Sequence, residues 1–146
     1  MLPVKVKKLN DSAILPTYET PEAVGADLRA CIPEAVTVDP GQTVFLSTGL
    51  AMEIPVGCAG LIYARSGLSC KKGLAPANKV GVIDSDYRGE IIVALHNHGT
   101  ETQTVNPGDR IAQLVIAPVL TPGFFEVSEL SNTVRADAGF GSTGNK

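Results

Sequence analysis

Short apolar segments separated by turn-forming residues make up most of this chain. The segments lie at residues 36–38, 43–54, 60–64, 90–96 and 110–119, and the breaks between them are rich in Pro, Gly, Asn and Asp. Many short strands at this spacing are typical of a sandwich, a jelly roll or a barrel. Residues 4–7 alternate Val and Lys, which indicates an amphipathic strand and not a signal peptide. The sequence therefore predicts an all-β fold.

Helix is predicted in only one place, as one or two turns around residues 66–72. Ten prolines are spread along the chain, and each would break the interior of a long amphipathic helix. The 146 residues contain no internal repeat and most simply form one domain. We therefore expect a β domain with very little helix over residues 1–130 and a distinct C-terminal segment over residues 131–146.

Composition and charge disfavour several classes of protein. Hydrophobic residues make up 44% of the chain and charged residues 18%, which indicates a globular fold and not a disordered chain. The formal net charge of -3 and the lack of a basic run disfavour direct binding to nucleic acid. A membrane-spanning helix needs about 18 consecutive apolar residues. No apolar run in the sequence approaches that length, so no membrane contact is expected. Three cysteines without a C-x-x-C pattern indicate reduced thiols and predict a cytoplasmic protein.

The tract at residues 81–90, G-V-I-D-S-D-Y-R-G-E, places a carboxylate where a buried strand meets a polar turn. Val82 and Ile83 resemble the end of a strand, and Ser85 and Asp86 resemble a turn. Asp84 lies between them. A carboxylate held at a rigid strand end can bind and orient a water molecule. The alternative is an aspartate that only caps the turn.

The C-terminal segment is rich in Gly, Ser, Asn and Asp and cannot build a core. A frayed terminus is the simplest interpretation, but two residues fit it poorly. Phe140 is a large ring between glycines, and Arg135 is a lone cation upstream of it. A flexible arm carrying these groups could close over a ligand, with the ring stacked on a base and the guanidinium on phosphate oxygens.

Five tracts of the chain resemble, in order, the five signature motifs of the trimeric dUTPases (deoxyuridine triphosphate diphosphatases). They are V-G-A-D-L-R-A at residues 24–30, Y-A-R-S-G-L at 63–68, the tract at 81–90, G-D-R-I-A-Q-L at 108–114, and R-A-D-A-G-F-G-S-T-G at 135–144. The chain departs from the usual motifs at Val24, Ala64 and Ala136. None of these departures falls on a side chain that the resemblance assigns to chemistry.

The resemblance implies a distorted jelly-roll or β-barrel domain with a flexible C-terminal arm. It implies hydrolysis of dUTP to dUMP and pyrophosphate by in-line attack of water on the α-phosphate, which keeps uracil out of DNA and supplies dUMP for thymidylate synthesis. Asp84 would be the general base. Mg2+ would bind through the substrate phosphates and water and not through direct protein ligands. Asp27 is a candidate support for the metal site, although a turn-stabilising role for it is equally open.

The resemblance also assigns substrate-binding residues to a phosphate group, a uracil and deoxyribose group, and an arm group. The phosphate group consists of Arg65, Ser66, Gly67 and Gln113. The uracil and deoxyribose group consists of Asn78, Gly81, Val82, Ile83 and Tyr87. The arm group consists of Arg135, Phe140, Gly141, Ser142 and Thr143. An exposed hairpin backbone can pair with the acceptor–donor–acceptor edge of uracil. The ring of Tyr87 would pack against the deoxyribose and leave no room for a 2'-hydroxyl.

A homotrimer with three shared active sites is the assembly that the resemblance implies. Two other functions stay open. The first is a dCTP deaminase on a similar fold, which needs a base poised at the pyrimidine ring, and nothing in the sequence indicates a glutamate there. The second is a trimeric β domain that binds nucleotide or a protein partner without turnover. The presence of Asp84, Gln113 and Arg135 favours the diphosphatase over this second alternative.

Overall fold

The computed structural model describes residues 3–137, and these form ten strands and one short helix. The strands are β1 (Lys5–Lys8), β2 (Ala26–Arg29), β3 (Val36–Val38), β4 (Thr43–Glu53), β5 (Cys58–Tyr63), β6 (Leu74–Pro76), β7 (Gly81–Ile83), β8 (Glu90–Asn97), β9 (Gln103–Val105) and β10 (Arg110–Pro118). The helix, α1 (Ser66–Lys72), lies between β5 and β6.

The strands form two four-stranded sheets and one two-stranded sheet. The first has the order β1-β4-β8-β6, the second β2-β10-β5-β7, and the third β3-β9. Every pairing between these strands is antiparallel. Strands distant in sequence are neighbours in both larger sheets, as in a jelly roll. The predicted all-β, distorted jelly-roll fold with very little helix is confirmed.

Prediction and structure agree closely for the longer elements. The helix has the predicted bounds, and β4, β8 and β10 each end within one residue of the predicted segment. The sequence does not reveal β2, β6 and β9, which span only three or four residues each. So few residues cannot display the alternation that identifies a strand. In β6, Pro76 also weakens the strand signal.

The core lies between the two larger sheets and is built from the inward residues of their strands. In β8, Ile91, Val93 and Leu95 are buried, whereas Ile92 among them is 49% exposed. Leu114 of β10 joins the same core from the second sheet. Because side chains alternate between the faces of a strand, a slip of one residue in β8 would expose all three buried side chains. Burial therefore fixes the register of β8 and the outward direction of Ile92.

A bulge interrupts the pairing of β4 with β8. Ser47 lies opposite Ile92 and Ala51 opposite Glu90, so the three β4 residues 48–50 face one β8 residue. At the centre of the bulge, Gly49 has a φ of 65°, in the left-handed region that favours glycine. A Cβ on Gly49 would also lie 2.8 Å from the sulfur of Cys31. The sharp turn of β4 at this point therefore requires glycine.

After β10, residues 119–137 form neither helix nor strand, and their side chains are exposed. Phe124 and Leu130, for example, are 96% and 87% exposed. The predicted domain boundary at residue 130 stays a prediction, and residues 138–146 lie outside the described part of the chain. Within residues 3–137, no helix is long and apolar enough to cross a membrane.

Candidate active site

Asp27 holds two arginines at one end of the second sheet. Its Oδ1 accepts a hydrogen bond from Arg65 Nε at 2.7 Å, and its Oδ2 accepts one from Arg110 Nη1 at 3.1 Å. Glu19 also forms an ion pair with Arg110, at 3.0 Å. The hydrogen bond with Asp27 raises the pKa of Arg110 above its ordinary value, and the charge of Glu19 adds to this effect. Since Asp27 is only 6% exposed, its two partners are what make a buried carboxylate tolerable.

These arginines border a concave surface of about 280 Å³, which we call the arginine cleft. Arg65, Lys72 and Arg110 line it together with Gly67, and Asp109 is the one acid among its lining residues. The excess of cationic groups favours an anionic ligand. Helix α1 adds to this preference, because its first turn carries no acidic residue and no side-chain cap. Its N-terminal N–H groups are thus available to an anion.

Gln113 is brought beside Arg65 by the register of β10. It lies opposite Asp27 on β2 and opposite Tyr63 on β5. Its Nε2 donates a hydrogen bond to the carbonyl oxygen of Ala64 at 2.8 Å, in the residue just before Arg65. A Cβ on Gly25 would overlap Gln113 Oε1, so glycine there leaves room for the amide. The structure therefore gathers the predicted phosphate group, Arg65, Ser66, Gly67 and Gln113, in one place.

Asp84 occupies a second concave surface of about 220 Å³, which we call the Asp84 cleft. It lies at the end of β7, and its carbonyl oxygen accepts a hydrogen bond from Tyr87 N at 3.2 Å. The Tyr87 hydroxyl donates to the carbonyl oxygen of Glu90 at 3.0 Å. Among residues 3–137, the Asp84 carboxylate has no hydrogen-bond or ion-pair partner. It is exposed and is available to bind water.

The segment predicted to form a uracil-binding hairpin is not a paired hairpin: β6 pairs with β8 in the first sheet and β7 with β5 in the second, and the turn between them joins the two sheets. Asn78 and Gly81 line a third concave surface, of about 280 Å³, that shares Ile92 with the Asp84 cleft. Strand β7 ends the second sheet and pairs only with β5 in the described part of the chain. The other edge of Gly81–Ile83 therefore presents unpaired backbone donors and acceptors. Such an edge can pair with the hydrogen-bonding groups of a base.

Within one chain, the arginine cleft and the Asp84 cleft lie at opposite ends of β5. Ile83 pairs with Gly60, so Asp84 follows at the Ala59 end of the strand. Arg65 follows the other end, two residues beyond Tyr63. Six residues of extended chain span roughly 20 Å at about 3.3 Å per residue. The structure of a single chain therefore does not bring Asp84 together with the phosphate group.

The dUTPase family model matches residues 11–144, which is nearly the whole chain. The chain belongs to the dUTPase family. Deoxyuridine 5'-triphosphate nucleotidohydrolase of Desulfitobacterium hafniense is 53% identical over 131 residues, covering 89% of this chain and 87% of that protein. The Syntrophotalea carbinolica protein of the same name is 49% identical over 141 residues, covering 97% and 96%. The family predicted from the five motifs is confirmed.

Solved structures of dUTPases share the fold of this family member. A mutant dUTPase of Staphylococcus bacteriophage 80alpha, with dUpNHpp bound, matches with a TM-score of 0.90 and 28% identity, over 99% of each chain. A mutant dUTPase of the S. aureus phage phi11 matches with a TM-score of 0.80 and 27% identity, over 88% of this chain and 98% of that one. That second structure is described as revealing the coordination of a structural Mg(II) ion.

Direct protein ligands for a metal are not grouped in the described part of this dUTPase-family chain. Residues 3–137 contain no cluster of three or more His, Cys, Asp or Glu side chains that could hold a metal ion. Both carboxylate oxygens of Asp27 accept hydrogen bonds from arginines. Asp27 therefore acts on the arginine cleft through Arg65 and Arg110.

Several residues that line the two clefts are absent from the sequence-based assignment, and Arg110, Ile92 and Glu90 are among them. Arg110 belongs to the fourth motif, but only its contact with Asp27 reveals its place in the arginine cleft. Ile92 and Glu90 line the Asp84 cleft, yet strand alternation in β8 gives them no distinguishing signal. Of the predicted arm group, Arg135 lies in the exposed segment described here. Phe140, Gly141, Ser142 and Thr143 lie outside the described residues.

Replacing Asp27 by alanine removes the common acceptor of Arg65 and Arg110 and leaves two cations close together. We expect the free energy of unfolding to fall by roughly 2–4 kcal/mol. This is less than for a fully buried pair, because the two arginine side chains are 24% and 35% exposed. Urea unfolding at a fixed protein concentration measures the change.

The matched control for this variant is Asp11→Ala. Asp11 is exposed, and its side chain has no hydrogen-bond partner within residues 3–137. Its removal is expected to change the free energy of unfolding by less than about 0.5 kcal/mol. Equal values for the two variants would show that the Asp27–arginine cluster does not stabilise the fold.

Proposed function

We propose that the protein hydrolyses dUTP to dUMP and pyrophosphate, as a dUTP diphosphatase. The observation that carries this proposal is the match of the dUTPase family over residues 11–144 together with Asp84 at the end of a rigid strand. The reaction removes dUTP, which keeps uracil out of DNA, and supplies dUMP for thymidylate synthesis. Relatives about half identical to this chain carry the name of this activity.

Asp84 is the proposed general base. It removes a proton from a water molecule that attacks the α-phosphorus in line with the departing pyrophosphate. Its carboxylate is exposed and unpartnered among residues 3–137, and the pairing of β7 with β5 holds the residue just before it. A positioned general base contributes on the order of 10²–10⁴-fold to a rate. Rigid placement matters because the water must be held in line with the breaking bond.

The arginine cleft is the proposed site of the triphosphate. Arg65, Ser66, Gly67 and Gln113 bind phosphate oxygens, and the oxygen bridging the α- and β-phosphates gains charge as its bond breaks. Because Asp27 holds Arg65 through Nε, the guanidinium group is oriented before the substrate arrives. An oriented donor loses less conformational entropy when it binds.

Mg2+ is the proposed cofactor, held by phosphate oxygens and water. When bound, it neutralises part of the charge of the triphosphate, which otherwise repels an anionic nucleophile. The donor set fits this arrangement, because Asp27 is occupied by arginines and no cluster of acids competes for the ion within residues 3–137. The residues of this chain therefore bind the phosphates, and the phosphates bind the metal.

Selection of dUTP is proposed to occur at β7 and Tyr87. Asn78 and the backbone of Gly81–Ile83 pair with the acceptor–donor–acceptor edge of uracil. Cytosine inverts two of these three groups, so its binding would leave backbone groups unpaired. A close fit around the base excludes the methyl group of thymine. The ring of Tyr87 packs against the deoxyribose and occupies the space of a 2'-hydroxyl.

A homotrimer with three shared sites is the proposed assembly. It is supported by the separation of roughly 20 Å between the two ends of β5, which one chain cannot bridge. In a closed ring of copies, the Asp84 cleft of one subunit can meet the arginine cleft of another. Ile92, Val82 and Phe45 are 49%, 61% and 75% exposed, and they offer apolar surface next to the Asp84 cleft for such a contact.

The segment over residues 131–146 is proposed to be an arm that closes over the bound nucleotide. Arg135 would bind phosphate, Phe140 would stack on uracil, and the backbone and hydroxyls of Gly141, Ser142 and Thr143 would contact phosphate oxygens. Residues 119–137 support this proposal, because they leave β10 as an exposed extension without helix or strand. The cytoplasmic location, and the absence of contacts with nucleic acid, stay predictions of the sequence.

Release of pyrophosphate with Mg2+ present, compared for dUTP, dCTP, dTTP and UTP, tests the reaction and its selectivity together. We expect release from dUTP with a kcat/KM at least about 100-fold above that for each other nucleotide, since unpaired groups and steric overlap penalise the analogues. Release of ammonia from dCTP would point to a deaminase. Binding of dUTP without release of pyrophosphate would point to a nucleotide-binding protein.

Replacement of Asp84 by asparagine tests the general base. We expect kcat for dUTP to fall on the order of 10²–10⁴-fold, because the amide cannot accept the proton. The dissociation constant of dUpNHpp, measured by calorimetry, is expected to change by less than about threefold. Asp86→Asn is the matched control in the same turn, since Asp86 does not line the Asp84 cleft, and its kcat is expected to stay close to wild type. Near-wild-type turnover in Asp84→Asn would refute the assignment.

A chain that ends at Val134 tests the arm. It lacks Arg135 and Phe140, so we expect kcat/KM for dUTP to fall on the order of 100-fold or more, from the loss of a stacked ring and a charged hydrogen bond. The melting temperature is expected to be unchanged, because the core ends with β10. A chain that ends at Gly144 is the control and should stay fully active. Full activity in the shorter chain would exclude the arm from the site.

A further inference from the structure

The bulge in β4 leaves backbone groups that the sheet cannot pair. Residues 48–50 face Ile91 alone, so their N–H and C=O groups lack the usual partners on β8. Three side chains supply substitutes, and one of them is Ser47, whose hydroxyl oxygen accepts a hydrogen bond from Gly49 N at 3.1 Å. The Thr48 hydroxyl donates to the carbonyl oxygen of Ile91 at 2.6 Å, and Glu90 Oε1 accepts from Gly49 N at 2.8 Å. Glu90 therefore closes the bulge from the opposite strand.

Glu90 also accepts a hydrogen bond from the Ser47 hydroxyl through the same Oε1. One carboxylate oxygen thus joins the hydroxyl of the residue just before the bulge and a backbone N–H at the centre of the bulge. The residue is half-buried, and hydrogen bonds to a charged acceptor in such surroundings are stronger than neutral ones. The first residue of β8 is consequently fixed to β4 by its side chain, in addition to its place in the sheet.

The backbone of Glu90 holds Tyr87. The Tyr87 hydroxyl donates to the carbonyl oxygen of Glu90 at 3.0 Å. Between the two residues, a Cβ on Gly89 would overlap the Tyr87 hydroxyl and ring, so the ring lies directly against the backbone of the loop. Tyr87 is otherwise 44% exposed, and this hydroxyl bond fixes the outer end of its ring. Both ends of the loop from Asp84 to Glu90 are therefore tied, by β7 at one end and by the Glu90 carboxylate at the other.

We propose that Glu90 is a positioning residue for sugar selectivity: its carboxylate, bound to Gly49 and Ser47, fixes the carbonyl that holds the ring of Tyr87. This inference rests on the proposed function, in which that ring occupies the space of a 2'-hydroxyl. Without the carboxylate, the start of β8 separates from the bulge and the carbonyl of Glu90 moves with it. Tyr87 then follows its acceptor, and space opens beside the sugar. Selectivity for dUTP over UTP therefore depends on a carboxylate whose own hydrogen bonds are made to Ser47 and Gly49.

The test compares Glu90→Ala with Glu90→Gln, because glutamine keeps an acceptor oxygen for Gly49 N and the Ser47 hydroxyl. We expect the ratio of kcat/KM for dUTP to that for UTP to fall at least about tenfold in Glu90→Ala and to stay within about threefold of wild type in Glu90→Gln. Tyr87→Phe, which removes the hydroxyl bond, should lower the same ratio. The double variant Glu90→Ala/Tyr87→Phe should be no less selective than the worse single variant, because both changes break one linkage.

Hydrogen exchange of the peptide containing residues 84–90 gives a readout that does not depend on activity. We expect faster exchange at the Tyr87 amide, which donates to the Asp84 carbonyl, in Glu90→Ala but not in Glu90→Gln. If Glu90→Ala does not fold, Ser47→Ala removes one donor to the same oxygen and should raise exchange to a smaller extent. Wild-type exchange and wild-type selectivity in folded Glu90→Ala would overturn the proposal. Failure of the wild-type protein to hydrolyse dUTP would instead reject the proposed function, and the exchange data would still decide whether Glu90 holds the loop.

Discussion

The buried carboxylate of Asp27 is the interaction on which the arginine cleft depends. It lies on β2 beside β10, where the register places Gln113 opposite it, and each of its two oxygens accepts a hydrogen bond from one guanidinium. A buried charge is tolerated only with such partners, and the partners in turn lose their freedom to rotate. Arg65 is therefore oriented by the fold itself, before any anion is bound. The conformational entropy of this guanidinium is therefore lost during folding and not when a ligand binds.

Strand β5 sets the distance between the arginine cleft and the Asp84 cleft within one subunit. It pairs with β10 on one side and β7 on the other, so the turn that carries Arg65 follows its C-terminal end and the Asp84 loop lies near its N-terminal end. An extended strand is stiff, so this separation is a fixed property of the subunit. In the proposed trimer, the Asp84 cleft of one copy meets the arginine cleft of another across the boundary between them. The proposed activity would then depend on assembly.

Sequence reasoning succeeded where the signal is local. The long strands follow from apolar segments between turns, the short helix lies where the sequence predicts it, and the place of Asp84 just after a strand follows from the change from buried strand to polar turn. It could not identify the roles of Arg110, Glu90 and Ile92, because these depend on partners 40 or more residues away along the chain or on which face of β8 is covered. Register and bulges are set by the whole sheet, and a single sequence does not display them.

The free edge of β7 has a consequence for the solubility of the protein. Backbone groups that can pair with a flat base can equally pair with an extended strand of any other polypeptide, since both offer the same donors and acceptors. The length of β7 limits this hazard. The strand has only three residues, and it lies between a turn with a left-handed Lys79 and the charge of Asp84. That length can span one base but is too short to nucleate a sheet between molecules. Because β7 is short, its edge can stay unpaired without promoting association between molecules.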